Sequence, residues 1–191
     1  SIDVLLISGD TYLDTSYNGS ALVGKWLVEH GFKVGIIAQP EVDVPDDITR
    51  LGEPNLFFAI SGGCVDSMVA NYTATKKRRQ QDDFTPGGEN NKRPDRAVLV
   101  YSNMIRRFFK GTTKKIVISG IESSLRRITH YDYWTNKLRK PILFDAKADI
   151  LSYGMGEMSM LQLANALKNG EDWQNIRGLC YLSKEPKEDY L

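Results

Sequence analysis

The sequence predicts an α/β fold built on a doubly wound, mostly parallel sheet. Apolar runs too short for helices recur along the chain, and segments with apolar residues at helical spacing separate them. Strands that are apolar along their whole length are typical of parallel sheets covered on both faces. Several of these runs also end at glycine, as the turn into a following helix requires.

The predicted elements alternate along the chain. Buried strands are predicted at residues 4–8, 34–38, 56–60, 116–119 and 150–153, with a short strand at 142–144 and an edge strand at 176–182. A helix around residues 22–27 ends at Gly31, and a short helix covers 47–51. Asp66 caps a third helix, Pro94 lies in the first turn of a fourth that Gly111 ends, and a fifth covers residues 161–167.

Length and composition indicate one domain that is neither secreted nor membrane-spanning. The chain has 191 residues, of which 41% are hydrophobic and 26% charged, enough for one sizeable core. No run approaches the about 18 apolar residues of a membrane span, and no signal-peptide pattern opens the chain, so we expect a cytoplasmic protein without membrane contact. Cys64 and Cys180 are too few for a zinc or iron–sulfur site, so no metal site is expected in this chain.

A basic block occupies residues 76–140. It holds 17 lysines and arginines but 6 aspartates and glutamates, although the net charge of the whole chain is +1. Basic residues interleaved with aromatic ones suit RNA, through phosphate neutralisation and base stacking. The alternative is that these charges meet the chain's own acidic regions or another domain. The candidate basic and aromatic surface comprises Lys77, Arg78, Arg79, Arg126, Arg127, His130, Tyr131, Tyr133 and Trp134.

The segment 76–93 has almost nothing to bury. Its sequence, KKRRQQDDFTPGG and the residues after it, shows no apolar periodicity. Too few apolar side chains are available to offset the entropy of ordering. We therefore expect a mobile segment that is either an insertion or a lid.

A ligand crevice is expected where the parallel strands end. In open α/β sheets ligands bind beyond the carboxyl ends of the strands, at the point where the strand order reverses. The stretch DAKADILSYGMGE, residues 145–157, is typical of a strand, a glycine turn and a helix start. No G-x-G-x-x-G follows the first strand and no Walker loop is present, which argues against a dinucleotide or nucleotide domain. The candidate crevice residues are Gly9, Asp10, Tyr12, Ser61, Gly62, Gly63, Ser119, Gly120, Gly154, Gly156 and Glu157.

Longer motifs carry a resemblance to a known family. They are GDTYLD at 9–14, DSMVANYTATKKRRQQDDFTPGG at 66–88, RPDRA at 93–97, ISGIESSLRRITHYDYW at 118–134 and the 145–157 stretch. Over nearly the whole chain they resemble the amino-terminal region of YgiQ-type radical SAM proteins. More loosely, the pattern resembles the cobalamin-binding-like domain that precedes the barrel of many radical SAM enzymes. The resemblance implies a flavodoxin-like, cobalamin-binding-like domain over residues 1–191, with a catalytic barrel beyond residue 191.

The resemblance also implies what this chain does not hold. In the family, a C-x-x-x-C-x-x-C loop binds a [4Fe–4S] cluster that cleaves S-adenosylmethionine to a 5′-deoxyadenosyl radical. This chain has no such loop, so we expect no catalytic residue and no cofactor within it, and the substrate stays unknown. The favoured function is a non-catalytic domain that shapes or covers the active site. The alternatives are a module that binds cobalamin or another phosphate-bearing ligand, and an RNA-binding module that delivers a substrate.

Cobalamin is admitted by the resemblance and disfavoured by three positions, Tyr12, Thr15 and Ser119, the last standing where the pattern has the first glycine of a pair. Domains of this type that ligate cobalt have D-x-H-x-x-G after the first strand, a serine after the third and a glycine pair after the fourth. Asp10, Ser61 and Gly120 match this pattern, but Tyr12 stands at the histidine position and Thr15 at the glycine position. Tyrosine has no imidazole nitrogen, so ligation of the cobalt by this chain is not expected.

Overall fold

The computed structural model describes residues 1–14 and 16–184. The main sheet has six strands: β1 (Val4–Ser8), β2 (Val34–Ala38), β3 (Phe57–Ser61), β4 (Lys115–Ser119), β7 (Ile150–Ser152) and β8 (Leu179–Tyr181). Their order across the sheet is β2-β1-β3-β4-β7-β8. All pairs are parallel except β7 with β8. The predicted doubly wound, mostly parallel fold is confirmed. A separate antiparallel hairpin joins β5 (His130–Asp132) and β6 (Lys137–Arg139).

Helices cover both faces of the sheet. They are α1 (Gly19–Glu29), α2 (Pro45–Thr49), α3 (Ser67–Asn71), α4 (Ala97–Phe108), α5 (Gly120–Leu125), α6 (Ile142–Ala146) and α7 (Glu157–Asn169). Val4 and Leu6 of β1 pack with α1 and α7, whereas Leu5 and Ile7 pack on the side of α2, α4 and α6. This alternation is the two-residue period of a strand buried on both faces. None of these helices combines the length and the apolar character that crossing a bilayer requires.

Two local predictions were wrong. Residues 142–144, predicted as a short strand, begin α6, because Ile142, Leu143 and Ala146 lie on one side of a short helix that packs against α4. Three apolar residues in a row do not distinguish a strand from a helix turn. Pro94 does not lie in the first turn of the fourth helix, because Arg96 has a left-handed backbone (φ 53°) and α4 begins at Ala97.

A buried glutamate caps two helices at the carboxyl edge of the sheet. One side-chain oxygen of Glu122, in the first turn of α5, accepts from the Ser67 N–H at 2.9 Å, and the other accepts from the Val98 N–H at 3.2 Å. These donors belong to the first turns of α3 and α4, where backbone N–H groups have no partner within the helix. The Ser67 hydroxyl accepts from the Ala97 N–H at 3.1 Å, which joins the two helix starts directly. Glu122 is 2% exposed, and this burial, followed by the nearby Asp66 carboxylate, raises its pKa.

The raised pKa of Glu122 predicts a pH-dependent stability. A carboxyl whose pKa is higher in the folded state binds more protons there, so its contribution to stability falls as pH rises above its unfolded value, 4.5. Glu122→Gln removes this titration while keeping an acceptor for one N–H group. We expect the stability of the variant relative to wild type to improve from pH 4.5 towards pH 8, as measured by urea unfolding. Parallel stability curves across this range would contradict the prediction.

Candidate functional site

A crevice lies where β1, β3, β4 and β7 end and where α1 and α7 begin. Its volume is about 220 Å³, and its floor is apolar, formed by Leu6, Leu22, Val23, Ala59 and Met160. Six of the predicted candidates line it: Ser61, Ser119, Gly120, Gly154, Gly156 and Glu157. The crevice therefore combines an apolar floor with hydroxyl groups and glycine backbone at its rim.

An adjacent hollow of about 170 Å³ shares Ser61 and Gly120 with the crevice. Two more predicted candidates, Asp10 and Gly63, line this hollow. Tyr17 lies between the two spaces and lines both, although sequence reasoning did not single it out. The sequence signal that could have identified Tyr17 is the asparagine directly after it. The side chain of Asn18 caps α1 by accepting from the Ala21 N–H at 3.1 Å.

Two predicted glycines, Gly9 and Gly62, do not line the crevice. A Cβ atom on Gly9 would lie 2.2 Å from the carbonyl oxygen of Gly62, and one on Gly62 would lie 2.5 Å from a carboxylate oxygen of Glu122. No side chain fits at either position. The closeness of the chain segments, and not a ligand, accounts for these glycines.

The histidine position of the cobalt-ligating pattern lies outside the crevice. Tyr12 is 46% exposed and lines a different groove, between α1 and β2. Thr15, the glycine position of the same pattern, lies outside the described residues. The remaining acid of the pattern, Asp10, is 1% exposed and belongs to an ion pair within the chain.

Arg93 is fully buried near the carboxyl ends of the strands, and the sequence analysis did not identify it as a site residue. Its Nη1 lies 2.6 Å from Oδ1 of Asp10 and donates to the Gly62 carbonyl at 2.7 Å. Its Nε and Nη2 donate to the Asp82 carboxylate at 3.2 Å. Burial opposes the charge, but Asp10 and Asp82 together raise the pKa of Arg93. The available signal was an arginine directly before a proline, in a segment that also carries paired aspartates.

The segment 76–93, expected to be mobile, makes polar contacts with the ends of the strands. Arg93, the last residue of the segment, pairs with Asp10 after β1, and Thr85 accepts a hydrogen bond from the Gln39 amide after β2 at 2.7 Å. The Phe84 carbonyl accepts from the Thr11 N–H at 2.8 Å. These contacts are polar, so an apolar pattern does not reveal them. The mobility of the segment stays a prediction.

The basic and aromatic candidates divide into separate places. Tyr133 and Trp134, in the turn of the β5–β6 hairpin, contact the 72–79 stretch: the Lys76 Nζ lies 4.7 Å from the Tyr133 ring centroid, and Trp134 packs against Tyr72. Tyr131 is exposed on the hairpin and donates to Asn136 at 2.6 Å. The remaining candidate of the hairpin, His130, has its Nδ1 3.1 Å from the carbonyl of Ile128.

The arginines among these candidates contact their own chain. Arg78 pairs with Asp95, and Arg79 donates to the carbonyls at the end of α3. Arg126 pairs with Asp66, and Arg127 donates to the Ser124 carbonyl while lying over the ring of Tyr153. Lys77 is exposed. The alternative in which the basic block meets the chain's own acidic residues therefore accounts for the pairing of Arg78 and Arg126.

The two cysteines do not form a cluster site. Cys64 follows β3 and Cys180 lies in β8, and β4 and β7 separate these strands in the sheet. Burial raises the pKa of both thiols, that of Cys64 to about 12. A [4Fe–4S] cluster needs thiolate ligands close together. The cysteines of this chain therefore do not fit such a cluster.

Comparison with known proteins identifies relatives along the whole chain. The family described as Radical SAM N-terminal matches residues 1–191. A UPF0313 protein of Fusobacterium nucleatum is 96% identical over 191 residues, which are 100% of this chain and 34% of the relative. A UPF0313 protein of Methanocaldococcus jannaschii is 52% identical over 175 residues, which are 92% of this chain and 28% of the relative. The chain thus spans about a third or less of the length of these relatives.

The same fold occurs in a radical S-adenosylmethionine methyltransferase, TsrM of Kitasatospora setae. Its structure with tryptophan substrate and a SAM analogue superposes with a TM-score of 0.64 at 17% identity, covering 96% of this chain and 29% of that protein. Its structure with cobalamin and a [4Fe–4S] cluster bound gives a TM-score of 0.62 at 16% identity, covering 96% and 28%. At this identity the likeness shows the fold alone.

Two glycines at this edge should respond differently to alanine. Gly63 has φ 115°, and its added Cβ would lie 2.2 Å from Asp10 Oδ1, whereas Gly154 has φ 71° with open space around it. Gly154→Ala should cost about 1–2 kcal/mol for the left-handed backbone. Gly63→Ala should cost clearly more, because it also pushes into the buried ion pair. Urea unfolding of both variants checks this, and equal losses would contradict it.

Proposed function

The chain belongs to the Radical SAM N-terminal family, and from this we propose that it is a non-catalytic domain that shapes and covers the active site of a radical SAM enzyme. The crevice edge of the sheet faces that active site. The [4Fe–4S] cluster and S-adenosylmethionine are bound by the rest of the full-length protein, whose substrate this chain does not reveal. A cytoplasmic location, expected from the sequence, is part of this proposal.

One observation carries the proposal: exposed apolar side chains lie on the segments that form the crevice edge. Tyr17 and Met155 line the crevice, and Ile121 lines the adjacent hollow. We define the apolar rim as these three side chains together with the exposed Leu125, Tyr153 and Met158 of the same segments. Met155 is 82% exposed and Leu125 is 60% exposed. Apolar groups gathered around a concave site are typical of surfaces that bind another part of a protein. The apolar rim therefore suits burial against a second domain.

The dimensions of the crevice agree with this role. Pockets that enclose a whole drug-sized ligand usually measure about 300–1,000 Å³. The crevice and the adjacent hollow have volumes of about 220 and 170 Å³. Each is too small to enclose such a ligand alone. In the proposal, the second domain supplies the opposite wall.

The relatives are long enough to contain a second domain that covers the crevice. The matched region is 34% of the Fusobacterium relative, so about twice as much chain remains for a catalytic barrel. The cysteines of this chain do not fit a cluster, so the cluster ligands are assigned to that remainder. The pairing of Arg78 and Arg126 within the chain favours docking of this domain over RNA binding as its role.

A second candidate function is the binding of cobalamin or another phosphate-bearing ligand. The observation that favours it is that α1 and α7 both begin at the crevice, with Gly19 and Glu157 among its lining residues. Helix starts favour anions through their free N–H groups. Ser61 and Gly120 also lie where the cobalamin pattern expects them. Cobalt ligation is not part of this candidate, because Asp10 is paired and Tyr12 lies in another groove.

Substitutions in the apolar rim should loosen the full-length protein. Met155→Asp or Leu125→Asp places a charge where the proposal buries an apolar side chain, at an expected cost of roughly 1.5–3 kcal/mol to domain docking. Limited proteolysis between the domain and the remainder should become faster. Val28→Asp is the matched control, because Val28 is 55% exposed near the end of α1 that is remote from the crevice. Unchanged proteolysis of both rim variants would overturn the proposed function.

A histidine at position 12 should not create a cobalt ligand. Tyr12→His restores the histidine of the sequence pattern, but this position lines the groove between α1 and β2. We expect the absorption spectrum of cobalamin mixed with the variant full-length protein to match that of the mixture with wild type. An imidazole-dependent spectral shift with the variant alone would show that position 12 reaches the crevice.

A further inference from the structure

We propose that Arg93 is a positioning residue for the wall of the hollow beside the crevice, and that it makes the place of this wall depend on the docking of the 82–88 loop. The wall is the Gly62–Gly63–Cys64 turn after β3, whose Gly63 and Cys64 line the hollow. The loop belongs to the segment for which the sequence predicts mobility. This positioning role holds whatever part of the protein covers the apolar rim.

On the wall side, Arg93 contacts two points that fix the turn. Its Nη1 donates to the Gly62 carbonyl at 2.7 Å and pairs with Oδ1 of Asp10 at 2.6 Å. The other oxygen of Asp10 accepts from the Cys64 N–H at 2.6 Å. The backbone on both sides of Gly63 is thus held by one guanidinium and its partner carboxylate.

On the loop side, Arg93 binds a carboxylate that also organises the loop. Asp82 accepts from Arg93, from the Phe84 N–H at 3.0 Å and from the Thr85 hydroxyl at 2.9 Å. The Gln39 amide donates to the Thr85 hydroxyl at 2.7 Å and also to the Gly9 carbonyl at 3.0 Å. The loop is therefore docked onto the ends of β1 and β2 through polar groups.

The buried charges make the two sides depend on each other. The side chains of Arg93, Asp10 and Asp82 are 0%, 1% and 3% exposed, so two carboxylates share one guanidinium away from water. If the loop leaves, Nε and Nη2 of Arg93 lose their acceptors, and buried donors without partners are costly. The docking of the loop and the contacts of Arg93 and Asp10 with the wall are therefore energetically coupled. A change that frees the loop also weakens these contacts.

The wall in turn reaches the rim of the crevice. The Cys64 thiol donates to the carbonyl of Tyr17 at 3.1 Å. Tyr17 lines both the crevice and the adjacent hollow. The contacts from the loop to the rim therefore run through Arg93, Asp10 and Cys64.

The reactivity of Cys64 tests this inference in the full-length protein. Alkylation by iodoacetamide is followed peptide by peptide under anaerobic conditions, with Cys180 of β8 as the internal reference. Asp82→Asn weakens the loop contact without removing Arg93, and Asp83→Asn is the matched control because Asp83 is exposed. We expect Asp82→Asn to label Cys64 about tenfold faster, since a tenfold change corresponds to ~1.4 kcal/mol of local opening. Asp83→Asn and the Cys180 rate should not change.

A second variant separates positioning from general stability. Arg93→Lys keeps the charge, but a single ammonium group cannot reproduce the forked contacts with both carboxylates and the Gly62 carbonyl. It should also accelerate Cys64 labelling while leaving Cys180 slow. Faster chymotryptic cleavage after Phe84 in Asp82→Asn, with Cys64 labelling unchanged, would show a free loop and a fixed wall, and would overturn the inference. Equal acceleration at Cys64 and Cys180 would also overturn it, because the effect would then be global unfolding.

Discussion

The structure depends on how buried charge is neutralised at the carboxyl edge of the sheet. Parallel strands bring their ends together at one edge, and the chain leaves that edge by long connections that need hydrogen-bonding partners. Two buried side chains supply partners at the centre of this edge. Glu122 receives the N–H groups of two helix starts, and Arg93 joins Asp10, Asp82 and the Gly62 carbonyl. Because burial removes water as a partner, each of these contacts restricts where the connecting segments can lie.

Several residues that suggest a ligand site in the sequence have a structural role in the fold instead. Gly9 and Gly62 follow strands, as ligand-binding glycines do, yet the surrounding backbone and Glu122 account for them. Asp10 likewise serves an ion pair. The predicted candidates that do line the crevice are Ser61, Ser119, Gly120, Gly154, Gly156 and Glu157. The free space lies towards α1 and α7, because the opposite side is filled by Arg93 and its partners.

The charge asymmetry along the chain has a similar explanation. The basic block holds most of the arginines, and several of these pair with aspartates from different parts of the chain, such as Asp43, Asp66 and Asp149. A surplus of basic residues in one stretch of sequence therefore becomes a set of ion pairs between segments in the folded chain. The apolar rim is the surface that such ion pairs do not explain. Its members come from the loop before α1, from α5, from the turn after β7 and from the start of α7.

The sequence by itself determined the alternation of strands and helices, the fold class and the family. These follow from local signals: continuous apolar runs, helical spacing and extended motifs. It also located the crevice edge, because strand direction follows from the alternation of strands and helices. Residues 142–144 were mistaken for a strand because three apolar residues are compatible with either element until α4 provides the surface they pack on.

Only the tertiary structure decided which polar residues are buried and what they contact. Arg93 and Glu122 look like ordinary surface charges in the sequence, because their partners lie between 11 and 83 residues away along the chain. The volume of the crevice, the place of Tyr12 in another groove and the gathering of the apolar rim likewise arise from segments distant in sequence. Local patterns record what each segment prefers, whereas a buried ion pair depends on which segments meet.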